Sequence, residues 1–79
     1  MPPRIPGLPA GWRVLQFKQG VNHPRDAVVL CQREQENDSD ANFVCWLVNM
    51  VEGGCSAGLY SVTEGFARQK FNFRSERIR

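Results

Sequence analysis

The residues able to do chemistry in this 79-residue chain are few and widely spaced. Cys31, Cys45 and Cys55 are its only thiols and His23 its only imidazole. A structural zinc site takes four Cys or His ligands, usually in two close pairs. No C-x-x-C occurs here, so no metal is expected. Cys45 and His23 could act as nucleophile and base only if the fold brought them together. Cys45, however, sits inside the apolar run FVCWLVNM, where a thiol stays protonated and inert. Ser56 and Ser61 lack the G-x-S-x-G elbow. Glu34, Glu36, Asp38 and Asp40 crowd one polar loop, where water screens them, rather than the shared cleft that acid–base pairs need. The loop also lacks the glycine of a D-x-[DN]-x-[DN]-G calcium site. Gly53-Gly54 lies between two apolar runs instead of between a strand and a helix, and neither a Walker A motif nor G-x-G-x-x-G occurs. The expectation is a protein with no catalytic set, no metal and no cofactor, which works by binding.

The elements that must position any binding residues follow from periodicity. Residues 1–11 carry Pro2, Pro3, Pro6 and Pro9 with Gly7 and Gly11, including P-x-x-P spacing. Proline fixes φ and removes a donor, so this segment is expected as an extended, polyproline-like arm, disordered or loosely docked. Residues 12–79 are expected as one domain. WRVLQFK alternates, with Arg13, Leu15 and Phe17 on one side and Trp12, Val14 and Gln16 on the other, and reads as a first strand. AVVLCQR (27–33) is rich in β-branched residues and reads as a second strand. Phe43–Met50 is apolar on both faces, as in a strand covered on both sides. Val51-Glu52-Gly53-Gly54 is a turn, and CSAGLY (55–60) returns as a fourth strand, with Gly58 marking a bulge or a close backbone approach.

Ser61-Val62-Thr63-Glu64 matches a capping box, which predicts a helix to about Arg77. At 100° per residue Val62, Phe66, Gln69 and Phe73 form one stripe, predicted to face the sheet. Ala67, Phe71 and Ile78 fall on the far side, with Lys70 and Arg74 between. The fold class is therefore α+β: a four-stranded antiparallel sheet with one C-terminal helix on one face, in the order β-β-β-β-α.

Composition bounds the remaining choices. A chain this short buries only about 60% of its unfolded surface and has room for one core. Its 42% hydrophobic and 23% charged residues suit a globular domain. No apolar run is long enough to span a bilayer, and residues 1–12 hold no signal-peptide core. The odd cysteine count points to reduced thiols. A cytosolic location is expected. The net charge of +2 is small, but Arg68, Lys70, Arg74, Arg77 and Arg79 crowd the C-terminal segment, opposite in sign to the acidic loop, and such a dipole can steer association.

The run Phe43-Val44-Cys45-Trp46, then Glu52-Gly53-Gly54-Cys55, then Gly58 with Tyr60 and a helix bearing Phe66 and Phe73, resembles small phage- and prophage-borne proteins. Those carry a V-x-W strand, a Gly-rich hairpin, a G-x-Y strand and a terminal helix. The resemblance covers about half the chain and carries over no binding residue. It implies an inhibitor of a host defence protein, of the anti-CRISPR kind, acting in the host cytosol. The positive charge argues against DNA mimicry and for blocking a protein surface, such as that of a CRISPR effector.

Physical reasoning adds a location. One helix covers one sheet face, so a strand apolar on both sides needs a second cover: another copy, the folded-back arm, or a partner protein. The expected contact holds Trp12 or Trp46, with Arg13 or Arg33 at its rim. The other two readings are a nucleic-acid module, using Phe71 or Trp46 for stacking and Arg74 among the helix cations for phosphates, and a structural homodimer built on the open sheet face.

Overall fold

Residues 5–35 and 41–78 are described by the structure, a computed structural model. The runs rich in β-branched and aromatic residues form four strands: β1 (Trp12–Gln19), β2 (Asp26–Arg33), β3 (Phe43–Asn49) and β4 (Cys55–Ser61). They pair antiparallel in chain order, and one helix, α1 (Glu64–Arg77), packs back on the sheet. This is the α+β architecture that the periodicity predicts. No helix among the described residues is long and apolar enough to cross a membrane. Residues 36–40 of the acidic loop, Pro2 and Pro3 of the arm, and Arg79 lie outside the described residues.

β2 and β3 are central, which explains why Ala27 through Cys31 are all buried without alternation. The hairpin from β3 to β4 is tied by Asn49: its side-chain oxygen accepts from the amides of Val51 and Glu52 at 3.0 and 2.9 Å. Gly53 and Gly54 then take positive φ.

Two bulges reset the faces. In β1 the register slips between Val14 and Gln16, leaving Leu15 as the extra residue. Trp12, Val14 and Phe17 therefore share one face and Leu15 turns to the other, which corrects the strict alternation expected from sequence. In β4 the register slips opposite Trp46, where Ala57 takes a φ of 52°. Gly58 lies so close to Trp46 that a Cβ there would stand 2.8 Å from the indole nitrogen, the close approach read from the sequence.

The sheet separates two apolar layers. On one side Val28, Leu30 and Cys45 meet Ala67 and Phe71 of α1. On the other, Val29, Cys31, Val44, Trp46 and Val48 pack with Ile5 of the arm, and Leu8, Trp12 and Val14 lie at the margin. The second cover of the sheet is thus the arm itself. Its residues from Ile5 onward are not a loose polyproline segment: Ile5 is only 7% exposed, and the Pro6 carbonyl accepts from the Gly54 amide at 2.9 Å. Positive φ at Gly7 and Gly11 bends the arm onto the hairpin and into β1.

The helix departs from expectation in start and in register. Ser61 is the last residue of β4, paired with Phe43 and buried, so it cannot cap. Thr63 caps instead, its hydroxyl accepting from the Phe66 amide at 3.4 Å. The buried face is Ala67, Phe71 and Ser75. Phe71 is 5% exposed, whereas Phe66 and Phe73 are 62% and 57% exposed, the reverse of the predicted stripe. Val62 is exposed as well. The physical reason is volume: Val28, Leu30 and Cys45 already fill this face of the sheet. The small side chains of Ala67 and Ser75 let the helix approach, and one large residue between them, Phe71, closes the layer.

Candidate binding surface

The six residues singled out from the sequence do not form one surface. Trp12, Trp46 and Arg33 gather on the arm side of the sheet. The rings of Trp12 and Trp46 meet edge-to-face at 5.3 Å, and Tyr60 joins them at 6.2 and 6.3 Å. The Arg33 guanidinium lies 4.5 Å over Trp12 and donates from Nη2 to the Ala41 carbonyl at 3.2 Å. Its Nε is buried with no hydrogen-bond partner among the described residues. Trp46 itself is buried, so it is a core anchor and not a contact residue. Arg13 is exposed and donates to Gln32 across the β1–β2 ladder at 2.9 Å. Phe71 and Arg74 belong to the opposite side, where Phe71 is core and cannot stack on a partner.

The helix cations are largely occupied within the chain. Lys70 donates to the Tyr60 carbonyl at 3.1 Å and the Ser61 hydroxyl at 2.9 Å. Arg74 donates to the Cys45 carbonyl at 3.1 Å, beside the irregular stretch of the β3–β4 pairing. Arg68 bridges Glu64 one turn back and Gln16 of β1, at 2.7 Å each. Arg77 stacks 4.3 Å over the exposed Phe73 ring.

Sequence reasoning missed the apolar residues that do reach water. Phe66 and Phe73 line the outer flank of α1 with Gln69 among them, and Val62, just before the helix, is exposed as well. Leu47, between buried Trp46 and Val48 on a central strand, is nevertheless 40% exposed. The available signal was the i, i+4, i+8 series Ala67, Phe71, Ser75, which competes with the Phe66–Phe73 stripe at the same period. Between the C-terminal half of α1 and the end of the sheet lies a groove of about 690 Å³. Leu47 and Val28 contribute to its floor, Phe73 to its wall, and Arg77, His23 and Asp26 bring charge and polarity to it.

The thiols are held in their neutral form. Burial, helped by the neighbouring Cys55 and Cys45 thiols, pushes Cys31 up from 9.0 to about 12. Burial also raises Cys45, against the opposing pull of Arg74 and Lys70, and raises Cys55. Among the described residues no group of three or more His, Cys, Asp or Glu side chains could hold a metal ion. Comparison with protein-family models, with curated proteins and with solved structures finds no match.

Proposed function

We propose that the protein is a non-enzymatic binding protein that occupies the surface of a partner protein through the outer flank of α1. The observation that carries this reading is the pair Phe66 and Phe73, two large aromatic rings seven residues apart on one flank of α1 that both face water. Burying two such phenylalanines gains roughly 1.5–3 kcal/mol each, and aromatic residues beside arginine are typical of contact hot spots. The narrower form of the proposal, an inhibitor of a host defence protein such as a CRISPR effector, comes from the sequence resemblance alone.

Charge separates this reading from the two others. The described helix carries Arg68, Lys70, Arg74 and Arg77 against Glu64 and Glu76. A two-fold homodimer on this flank would bring Arg77, which stacks on Phe73 there, toward its own counterpart. The sheet face first considered for a homodimer is occupied by the arm from Ile5 onward. Nucleic-acid binding draws on several cations released to phosphates, whereas Lys70, Arg74 and Arg68 are committed to carbonyl, hydroxyl, amide or carboxylate oxygens of the chain. An acidic protein surface fits both the apolar stripe and the sign of its rim.

The test is a paired capture from the cytosol of a bacterial host, with the parent protein and Phe66→Glu immobilised side by side. The expected result is an acidic protein retained by the parent and lost by Phe66→Glu, whose circular dichroism and melting stay those of the parent. Identical retention by both baits refutes the helix-flank reading. Salt-sensitive binding of short DNA or RNA by the parent, with no protein retained, favours the nucleic-acid reading instead.

A further inference from the structure

We propose that the groove beside Leu47 is an anchor pocket for one large apolar side chain in an acidic segment of the partner protein. The anchor would seat on Leu47 and a flanking carboxylate would meet Arg77. This rests on the protein-binding reading and names the chemistry of the partner at that site.

The first ground is an unfilled position in the middle of the fold. Leu47 pairs with Val28 of β2 and Ser56 of β4, so it sits on a central strand, yet it is 40% exposed while Trp46 and Val48 beside it are buried. The helix covers this face of the sheet through Ala67 and Phe71, and Leu47 lies outside that packed cluster. The resulting space, about 690 Å³, lies within the roughly 300–1,000 Å³ of pockets that hold ligands. It accommodates a side chain together with its adjoining backbone.

The second ground is the sign and orientation of the charges. Arg77 borders the groove beside Arg74, which is tied to the Cys45 carbonyl, with Asp26 as the only carboxylate among its described lining residues, so the free edge of the Arg77 guanidinium favours an anion there. Both guanidiniums are pinned. Arg74 is held by the Cys45 carbonyl at 3.1 Å, and Arg77 is stacked at 4.3 Å on Phe73. Stacking uses the face of a guanidinium and leaves its in-plane N–H groups for a carboxylate, the geometry in which arginine exceeds lysine. His23 adds a further polar group at the rim. A two-fold contact between copies through this groove would set Arg77 against its own counterpart, so the occupant is assigned to a different, acidic protein.

The test uses acetylated, amidated pentapeptides on isotope-labelled full-length protein, followed by NMR. The probe has phenylalanine flanked on each side by two aspartates; two controls replace the aspartates with lysines or the phenylalanine with alanine. Saturable shifts are expected in the methyls of Leu47, Val28, Val48 and Ile78 and in the Arg77 side chain, with a dissociation constant of about 1 mM or somewhat tighter. Each control should bind roughly tenfold more weakly or worse. Leu47→Glu should abolish binding, and Arg77→Glu, at an exposed position, should reverse the preference toward the lysine peptide. No saturable shift up to about 10 mM, equal binding of the lysine peptide, or shifts confined to another surface would overturn the proposal. So would a concentration-dependent dimer dissociated by Leu47→Glu, which would make a second copy the occupant. Phe66→Glu should leave peptide binding unchanged. Failure of the peptide alongside loss of a captured partner by Phe66→Glu therefore removes the pocket and keeps the wider reading, and the opposite pattern does the reverse.

Discussion

Gly7 is the position on which docking of the arm turns. Its φ of +79° lies in the left-handed region, which costs a residue with a Cβ about 1–2 kcal/mol. A Cβ at this point would also stand 2.5 Å from the Gly54 amide nitrogen and 2.6 Å from the Gly54 Cα. Those are backbone atoms of a hairpin fixed by Asn49, so they cannot swing aside as a side-chain tip would. What holds the arm is modest. Burial of Ile5 contributes roughly 1.5–3 kcal/mol and the bond from Gly54 to the Pro6 carbonyl about 0.5–1.5 kcal/mol. Ordering of the arm offsets part of both contributions. Left-handed strain of about 1–2 kcal/mol with a backbone clash added to it is comparable to either contact, so Gly7→Ala should release the arm while β2, β3 and α1 stay folded. Amide exchange at Leu8, whose N–H bonds to the Ile5 carbonyl, should lose protection. Tryptophan emission should shift to the red and become accessible to iodide, because Trp12 and Trp46 share the layer that Ile5 covers. Gly11→Ala is the internal control: its φ is +90° but nothing lies within 4 Å of the added carbon. It should cost the backbone strain alone and leave emission unchanged. Parent-like emission and exchange in Gly7→Ala, or equal release of the arm by both variants, would refute the reasoning.

The helix register gives a second expectation: Phe71→Ala should lose about 3–5 kcal/mol and unfold much of the population, whereas Phe73→Ala and Phe66→Ala should stay within about 0.5 kcal/mol, by urea denaturation. Gly58→Ala should cost about 1–3 kcal/mol by overpacking, because the new carbon meets the buried indole of Trp46, and the Trp46 indole N–H resonance should move. The Cys31 thiol has a folded value raised from 9.0 to about 12. Its contribution to stability is thus fully present below pH 9 and is lost as pH rises toward 12, the unfolded chain being the better proton donor. Melting temperature against pH should therefore fall more steeply in the parent than in Cys31→Ala over that window, and parallel profiles would show that the thiol is not the cause. Native-state alkylation should reach half-buried Cys55 first, with Cys31 and Cys45 modified only at the rate of unfolding, as read by mass spectrometry.

The strands were legible because their signals are local. β-branched runs, the glycine pair after Asn49 and the polar segment before Phe43 each fix a boundary without reference to the rest of the chain. Bulges are only partly local. Gly58 announces the irregularity opposite Trp46 because a glycine in a strand has few other uses, but nothing in WRVLQFK marks Leu15 as the residue that slips. The helix shows the harder limit. Its sequence offers two faces with the same period, one holding Phe66 and Phe73 and the other holding Ala67, Phe71 and Ser75. Counting apolar area selects the first. The choice is made by what the sheet has left to fill, and that depends on Val28, Leu30 and Cys45 converging from two different strands. Lys70 and Arg74 then secure the register through carbonyls of β4 and β3, contacts that no window along the helix could contain.

The same contest explains why the apolar surface lies where it does. A strand apolar on both faces required two covers. The arm from Ile5 onward supplies one and α1 the other, and both are thin: one isoleucine with Leu8 at its margin, one phenylalanine between two small residues. Thin covers suffice because β2 and β3 bring most of the core with them. They also leave side chains over. Had α1 turned Phe66 and Phe73 inward, Phe71 would face water and the outer flank would carry one aromatic ring in place of two. As it stands, the Phe66 and Phe73 rings lie outward on the helix with Arg77 stacked on Phe73, and Leu47 lies open in the groove that Phe73 also lines. A purely structural optimum would replace Phe66, Phe73 and Leu47 with polar residues at little cost to folding, since none of the three belongs to the buried core. Polar replacement at all three positions should therefore leave the melting temperature nearly unchanged while removing partner capture and pentapeptide binding together. A triple variant that melts far below the parent would assign these residues to stability instead of recognition.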